Sequence, residues 1–312
     1  APKVPMELLD EIIECYIIAF YPLMATPAIE SQKTVFARFI MPCTLVSKDF
    51  RYLVLRSFLR SLSIGTSDDF TDLLGFLEKV DSQYRKQNWA GGYSWVRSLS
   101  APSFLIPPNV NEFKKLPCLH HLHVDFSHSG LMLQRSCLGQ LFKNLGAHKI
   151  VLKLTSLMLT NLPRIDEPLL EMIARELPGL VELHLNSADS LDLDCCPNCY
   201  EDSLSRISHS PIPEMYRDAE FLAMAFGKAL APLKNLTRLF LGIYLSRSGM
   251  LDMHMAHGKD SLKPNTVETV YNCARCARFI KETKQRELVA SLVIGKHLES
   301  LAEIGWSSCF AK

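Results

Sequence analysis

Leu169-Leu170-Glu171-Met172-Ile173-Ala174-Arg175-Glu176-Leu177-Pro178-Gly179-Leu180-Val181-Glu182-Leu183-His184-Leu185 holds the building unit of this chain in a single run. Leu169, Leu170, Ile173, Ala174 and Leu177 recur at i, i+1, i+4, i+5 and i+8, which is one face of a helix. Pro178-Gly179 makes a short turn. Leu180, Leu183 and Leu185 follow, and Leu183 and Leu185 alternate with polar residues as on a strand with one buried side.

Working outward, the same helical face returns as Cys137, Leu138, Leu141, Phe142 and Leu145, and as Phe221, Leu222, Ala225, Phe226 and Ala229. The strand pattern returns as Leu59, Leu62 and Ile64, as Val96, Leu99 and Ala101, and as Leu119, Leu122 and Val124. It returns again as Leu154, Leu157 and Leu159 and as Leu236, Leu239 and Leu241. Leu298 and Leu301 begin a further copy, and Glu303 breaks its last position. Helix, turn and strand, repeated, is the unit of a leucine-rich solenoid, in which stacking buries the apolar face that each unit leaves exposed. The expected fold over 58–312 is therefore α/β: an irregular leucine-rich-repeat domain with a curved parallel sheet and helices on its convex side. Long loops are expected at 186–220 and 246–285. In such a sheet the leucines face inward. His121, His123, Asp125, Glu182, His184, Asn186, Arg238 and Phe240 then line the open side and are the candidate residues for holding a protein substrate. The histidines at 120, 121, 123 and 128 read as solvated imidazoles, because no preset ligand pair lies beside them.

Composition narrows the function classes. Hydrophobic residues make up 48% of 312 positions, enough for a substantial core. The 34 basic and 33 acidic residues are spread along the chain without a basic stripe, so nucleic acid is not an expected partner. The apolar run Cys15–Ala25 is too short to span a bilayer, is interrupted by Pro22 and follows no basic segment, so neither a membrane span nor a signal peptide is expected. Ten cysteines in a chain of this size point to a reducing compartment, cytoplasmic or nuclear. Phosphate-loop, dinucleotide and nucleophile-elbow motifs are missing from the sequence, which argues against an enzyme.

Near the N-terminus, Pro5 suits a helix start, and Glu7, Asp10 and Glu11 favour the positive end of the helix dipole. Leu8, Leu9, Ile12, Ile13 and Tyr16 form an apolar stripe. Later, Val46-Ser47-Lys48-Asp49-Phe50-Arg51-Tyr52-Leu53 places Val46, Phe50 and Leu53 on one side. These two stretches resemble the F-box family, whose opening is Leu-Pro-x-Glu-Leu-Leu-x-x-Ile and whose later element reads Leu-x-x-Val-Ser-Lys-x-Phe-Arg-x-Leu. Val4 stands where the family has leucine, and the link between the two elements is longer. Together with Leu239–Leu245, the His254/His257 and Cys273/Cys276 pairs and Leu298–Trp306, the chain is similar to F-box/leucine-rich proteins abundant in fungi. The resemblance implies a helical hook over 1–57 that docks on the Skp adaptor of a cullin–RING ubiquitin ligase through Pro5, Leu8, Leu9, Ile12, Val46, Phe50 and Leu53. It implies a substrate-recognition adaptor that performs no chemistry itself. The alternative expectation is a leucine-rich-repeat scaffold or interaction protein with no ligase role, whose N-terminal helices are a cap.

The two long intervals hold metal-ligand pairs. His254 and His257, with Cys273 and Cys276, are spaced to share one tetrahedral structural zinc. Cys196 and Cys199 form a second set that could instead pair with Cys273 and Cys276. A catalytic zinc is not expected, since no glutamate is placed as a base. Metal analysis should find about one equivalent of zinc in the purified protein, and a loss of it when Cys273→Ser and Cys276→Ser are combined. No metal in either protein rejects the site.

Overall fold

Polar side chains that close the first turn set where several helices begin. The computed structural model describes residues 5–19, 32–86, 91–127, 129–147, 153–187, 212, 215–245 and 277–307. Its principal elements are α1 (Met6–Ile18), α2 (Lys48–Phe58), β1 (Ser61–Ser63), α3 (Ser67–Arg85), β2 (Ser98–Pro102), β3 (His121–Asp125), α4 (Leu131–Ala147), β4 (Ser156–Leu162), α5 (Glu167–Glu176), β5 (Glu182–Ser187), α6 (Ala219–Leu230), β6 (Arg238–Gly242), α7 (Ala277–His297) and β7 (Glu303–Trp306). Ser47, Thr66, Asp166 and Asp218 cap α2, α3, α5 and α6 by accepting from the backbone N–H groups of Phe50 (3.1 Å), Asp69 (3.2 Å), Leu169 (3.1 Å) and Phe221 (2.8 Å). Each bond satisfies a donor that the helix cannot satisfy itself.

The seven strands form one continuous parallel sheet in chain order, flanked by helices. Along β2, β3, β4 and β5 buried and half-exposed residues alternate, so one face is covered and the other stays partly open. The covered face carries Leu62, Leu99, Leu122, Leu157, Leu183 and Leu239, all buried. Full burial of each such side chain contributes roughly 1.5–3 kcal/mol.

The chain divides into two compact units, one of residues 1–124 and 143–154, the other of 125–142 and 155–312. In the first, β1 pairs with β2 through Ser61↔Ser98, Leu62↔Leu99 and Ser63↔Ser100. Tyr52, Tyr84 and Trp95 stack edge-on or tilted at 5.2–5.4 Å, joining α2, α3 and the turn Gly92–Trp95. In the second unit α5, α6 and α7 pack side by side. Gly227 allows the close approach of α6 to α7, since a Cβ there would lie 2.5 Å from the His297 ring.

This architecture corrects the expected fold. The sheet is one continuous layer, not a curved leucine-rich solenoid behind a separate helical hook, and its strands start at 61, 98, 121, 156, 182, 238 and 303 with no fixed period. The F-box resemblance is overturned by the same observation. Leu53, Val54, Leu55, Phe58 and Leu59 of α2 and its exit are buried, and α2 leads directly into β1. α1 is tied to this segment by Asp10–Arg56 (2.5 Å) and Glu14–Arg60 (2.6 Å). The N-terminal helices thus belong to the α/β layer and form no hook. Of the residues assigned to Skp docking, Leu53 is core, Leu9 and Phe50 are half-buried, and Pro5, Leu8, Ile12 and Val46 are exposed. The last strand also uses another frame. Ile304 and Trp306, not position 303, pair with Leu239 and Leu241, and Glu303 stands opposite Arg238.

Asp166 is buried, caps α5 and bonds Arg135 at 3.2 Å. Replacing it with Ala should destabilise the protein by about 1–2 kcal/mol, and Asp166→Asn should recover much of that through the cap. Urea unfolding reads both as shifts in midpoint at constant slope.

Candidate anion-binding site

Each strand entry in the first unit places a cationic or imidazole residue beside the next. The carbonyl of Arg60 accepts from the N–H groups of Arg97 and Ser98, and the carbonyl of Arg97 accepts from those of His120 and His121. These bonds set Arg60, Arg97 and His120 side by side, one residue before the strands begin. Ser61, Ser98 and His121 stand next in line.

A cleft of about 780 Å³ opens at this edge, lined by those six residues with Glu14 and Ile18 of α1, Cys118 and Lys153. Among the described residues Glu14 is its single carboxylate, and it accepts from Arg60 at 2.6 Å. Arg97 Nη1 donates to the Cys118 carbonyl at 3.3 Å. The Nδ1 of His120 contacts the same oxygen at 2.5 Å, which makes Nδ1 the protonated nitrogen. Lys153 Nζ lies 4.0 Å from Cys118 Sγ. Burial holds the His121 imidazole below its ordinary value, and the neighbouring His120 and Arg60 push it further down. Such a site is electropositive and part-exposed, so it can hold an anion. Cys137 is a contrasting thiol, pushed up to about 12 by burial alone and chemically quiet.

The residues expected on the open face do lie on the half-exposed side of their strands, in two separate sets. In the first unit His121 lines the cleft and His123 Nδ1 bonds Ser100 Oγ at 2.9 Å. In the second, Glu182 forms an ion pair with Arg238, and the His184 and Phe240 rings lie 4.2 Å apart. Asn186 stands opposite Gly242. Asp125, just beyond the last buried residue of β3, accepts from Asn161 Nδ2 (2.7 Å), Ser127 Oγ (2.8 Å), Ser127 N (3.2 Å) and Thr160 Oγ1 (3.3 Å). These bonds hold a bulge in β4 where Asn161 adopts φ 54°.

Reading the sequence for leucines missed Arg60, Arg97, Cys118 and Lys153. A signal was present: the tetrapeptide Arg-Ser-Leu-Ser occurs at 60–63 and again at 97–100. Equal phase on adjacent parallel strands makes such copies lateral neighbours. The expected zinc ligands are a different case. His254, His257, Cys273 and Cys276 lie outside the described residues, and so do Cys196 and Cys199 of the second set. His128 lies outside them as well. Among the described residues no group of three or more metal-ligating side chains occurs, and no helix is long and apolar enough to cross a membrane.

No family model matches the chain, and no curated protein matches it. The Skp–cullin–F-box adaptor role, like the leucine-rich-repeat scaffold set against it, depended on a hook and a repeat solenoid. The continuous sheet replaces both, and with no family match the ubiquitin-ligase reading is withdrawn.

Asp125 generates a pH test. Burial raises its carboxyl, but the bonds from Asn161, Ser127 and Thr160 outweigh that and leave it below the ordinary value. A carboxyl depressed by folding adds stability above its unfolded pKa of about 3.9, and that stability disappears as pH falls through the folded value. The stability gap between wild type and Asp125→Asn should therefore close on acidification, as read by urea unfolding across that range. A gap independent of pH would contradict this account.

Proposed function

We propose that this chain is a ligand-binding protein that holds an anionic ligand, without chemical turnover, in the cleft at the strand entries of its first unit. The observation that carries the reading is the charge of the lining. Among the described residues Arg60, Arg97 and Lys153 line one cleft with two imidazoles and a single carboxylate, and that carboxylate is engaged by Arg60. In the second unit the corresponding entry positions are Thr155, Val181, Thr237 and Ala302, so the cations are not a general requirement of the sheet. The open face there pairs its charges internally through Glu182 and Arg238, which favours the cleft as the ligand site.

Arginine and lysine around one opening gain from charge-assisted hydrogen bonds to an oxyanion, and salt screens that gain because the cleft is open to solvent. Isothermal titration at low salt with inorganic pyrophosphate and with citrate should give saturable binding of at least one. Arg97→Ala and Lys153→Ala should each weaken it by about tenfold. Added salt should weaken it further, and phosphorus NMR should recover pyrophosphate intact after incubation. Binding that is equal in wild type and in the double variant Arg97→Ala with Lys153→Ala would reject the site, and cleavage of the pyrophosphate would reject binding without turnover.

A further inference from the structure

β7 is the last strand of the sheet, and among the described residues it pairs with β6 alone. The Glu303 N–H reaches the Thr237 carbonyl at 3.0 Å, and the Ser307 N–H reaches the Leu241 carbonyl at 3.2 Å. Bonds to β6 therefore fall on alternate residues, and the N–H and C=O groups of Ile304 and Trp306 point the other way, to the open edge. Such an edge is a template for a further strand.

The side chains at this edge are also incompletely covered. Ile304 and Trp306 extend the row of Leu239 and Leu241 on the covered face, yet they are half-buried where Leu239 and Leu241 are buried. α7 lies beside them, and Trp306 Nε1 donates to Ser291 Oγ at 2.9 Å. Going round α7 from His297, which meets Gly227 of α6, the next face holds Ser291, and the face after it holds Leu288 and Leu292. Both leucines are 61% exposed, on the side away from α6. The exposed charge of that flank is positive. Lys281, Lys284 and Lys296 are exposed around the leucines, whereas Glu282 is engaged by Arg278 at 2.9 Å and Glu287 is half-buried. The exposed carboxylates Glu299 and Glu303 lie at the entering end of β7, where Glu303 stands opposite Arg238.

We infer that the open edge of β7 and the adjoining flank of α7 together dock an extended acidic peptide, which adds a strand beside β7 and lays its apolar side chains on Leu288 and Leu292. Backbone pairing supplies the affinity, and the lysines select acidic side chains. A second copy of this chain fits less well, because a two-fold pairing of the same edge sets one lysine-bearing flank against another. An anionic membrane meets the lysines but leaves the outward N–H and C=O groups of Ile304 and Trp306 without partners. A peptide backbone satisfies those groups and a peptide's carboxylates satisfy the lysines at the same time.

Fluorescence anisotropy with a labelled peptide that alternates glutamate and valine tests the surface. Wild type should bind it saturably, should bind the lysine–valine counterpart about tenfold more weakly, and should lose at least as much when the peptide's backbone amides are N-methylated. Leu288→Ser with Leu292→Ser, and Lys281→Glu with Lys284→Glu, should each weaken binding by about tenfold. These side chains are exposed, and circular dichroism checks that the variants are folded. No binding, equal binding of the two peptides, tolerance of N-methylation, or binding that either variant leaves intact would each overturn the inference. Loss of peptide binding in Arg97→Ala with Lys153→Ala would place the peptide in the anion cleft and overturn it as well. Sedimentation that shows a dimer dispersed by Leu288→Ser with Leu292→Ser would assign the face to a second copy. Capture by phosphatidylserine vesicles in place of the peptide would assign it to a membrane, and either outcome overturns the inference.

Discussion

At most strand entries the chain joins the sheet through the same pair of backbone bonds. The carbonyl one residue before a strand accepts two successive N–H groups from the chain entering beside it: Arg60 from Arg97 and Ser98, Arg97 from His120 and His121, Thr155 from Val181 and Glu182, Val181 from Thr237 and Arg238, Thr237 from Ala302 and Glu303. This ladder fixes register. With register fixed, Leu62 and Leu99 become neighbours in one unit, and Leu157, Leu183, Leu239 and Ile304 in the other. A slip by one residue would carry a whole strand's leucines to the half-exposed face. The leucine side is the buried one along β2 to β5, so the core depends on this single alignment.

The same ladder also places charge. Residues of equal phase on adjacent parallel strands become lateral neighbours however far apart they lie in the chain. Arg60 and Arg97 meet in this way, and His120 joins them. The strand order never reverses among the described strands, so they form no crevice of the kind that a reversal opens in doubly wound sheets. The cleft lies instead at the entering ends of the strands, where long side chains keep their stems against the protein and their charged heads toward water. Placing cations there costs little desolvation, since Arg60 and Lys153 remain exposed. Asp125 shows the opposite solution. It is half-buried at the exit of β3 and is satisfied by Asn161, Ser127 and Thr160. Its charge supports a bulge, whereas in the cleft Arg60 is answered by Glu14 and Arg97 by the Cys118 carbonyl.

Much of the buried side was legible in the residues. The alternating leucines mark the covered face of β1 to β6, and the faces read around Leu138 and Leu170 are buried in α4 and α5; in α6 Leu222, Phe226 and Ala229 are buried, whereas Phe221 is exposed and Ala225 half-buried. How these pieces are joined was not legible. An apolar stripe states that a face is covered without stating by what. The stripe at Leu53 reads equally as a docking helix or as the first helix of an α/β layer, and the ion pairs of Asp10 and Glu14 to Arg56 and Arg60 decide for the layer. In β7 the spacing from Leu298 set a false frame, because Leu298 closes the turn by accepting from the Leu301 N–H instead of starting the strand pattern.

The cleft was less legible than the core for a physical reason. His120 and His121 adjoin in sequence and stand out as a cluster, yet alone they read as solvated imidazoles. Their meaning comes from Arg60, Arg97 and Lys153, which are distant in the chain and ordinary one at a time. Periodicity analysis weighs the apolar phase and treats the polar phase as surface. In a parallel sheet the polar phase carries equal positional information, because the register that aligns leucines also aligns whatever precedes them. Arg-Ser-Leu-Ser at 60–63 and at 97–100 shares one leucine phase and one charge phase. Aligning strand segments on their buried leucines and comparing the polar columns brings both arginines into line from the sequence itself. It also shows the column turning neutral at Thr155, Val181 and Thr237, which confines the charge to one unit and marks it as a site.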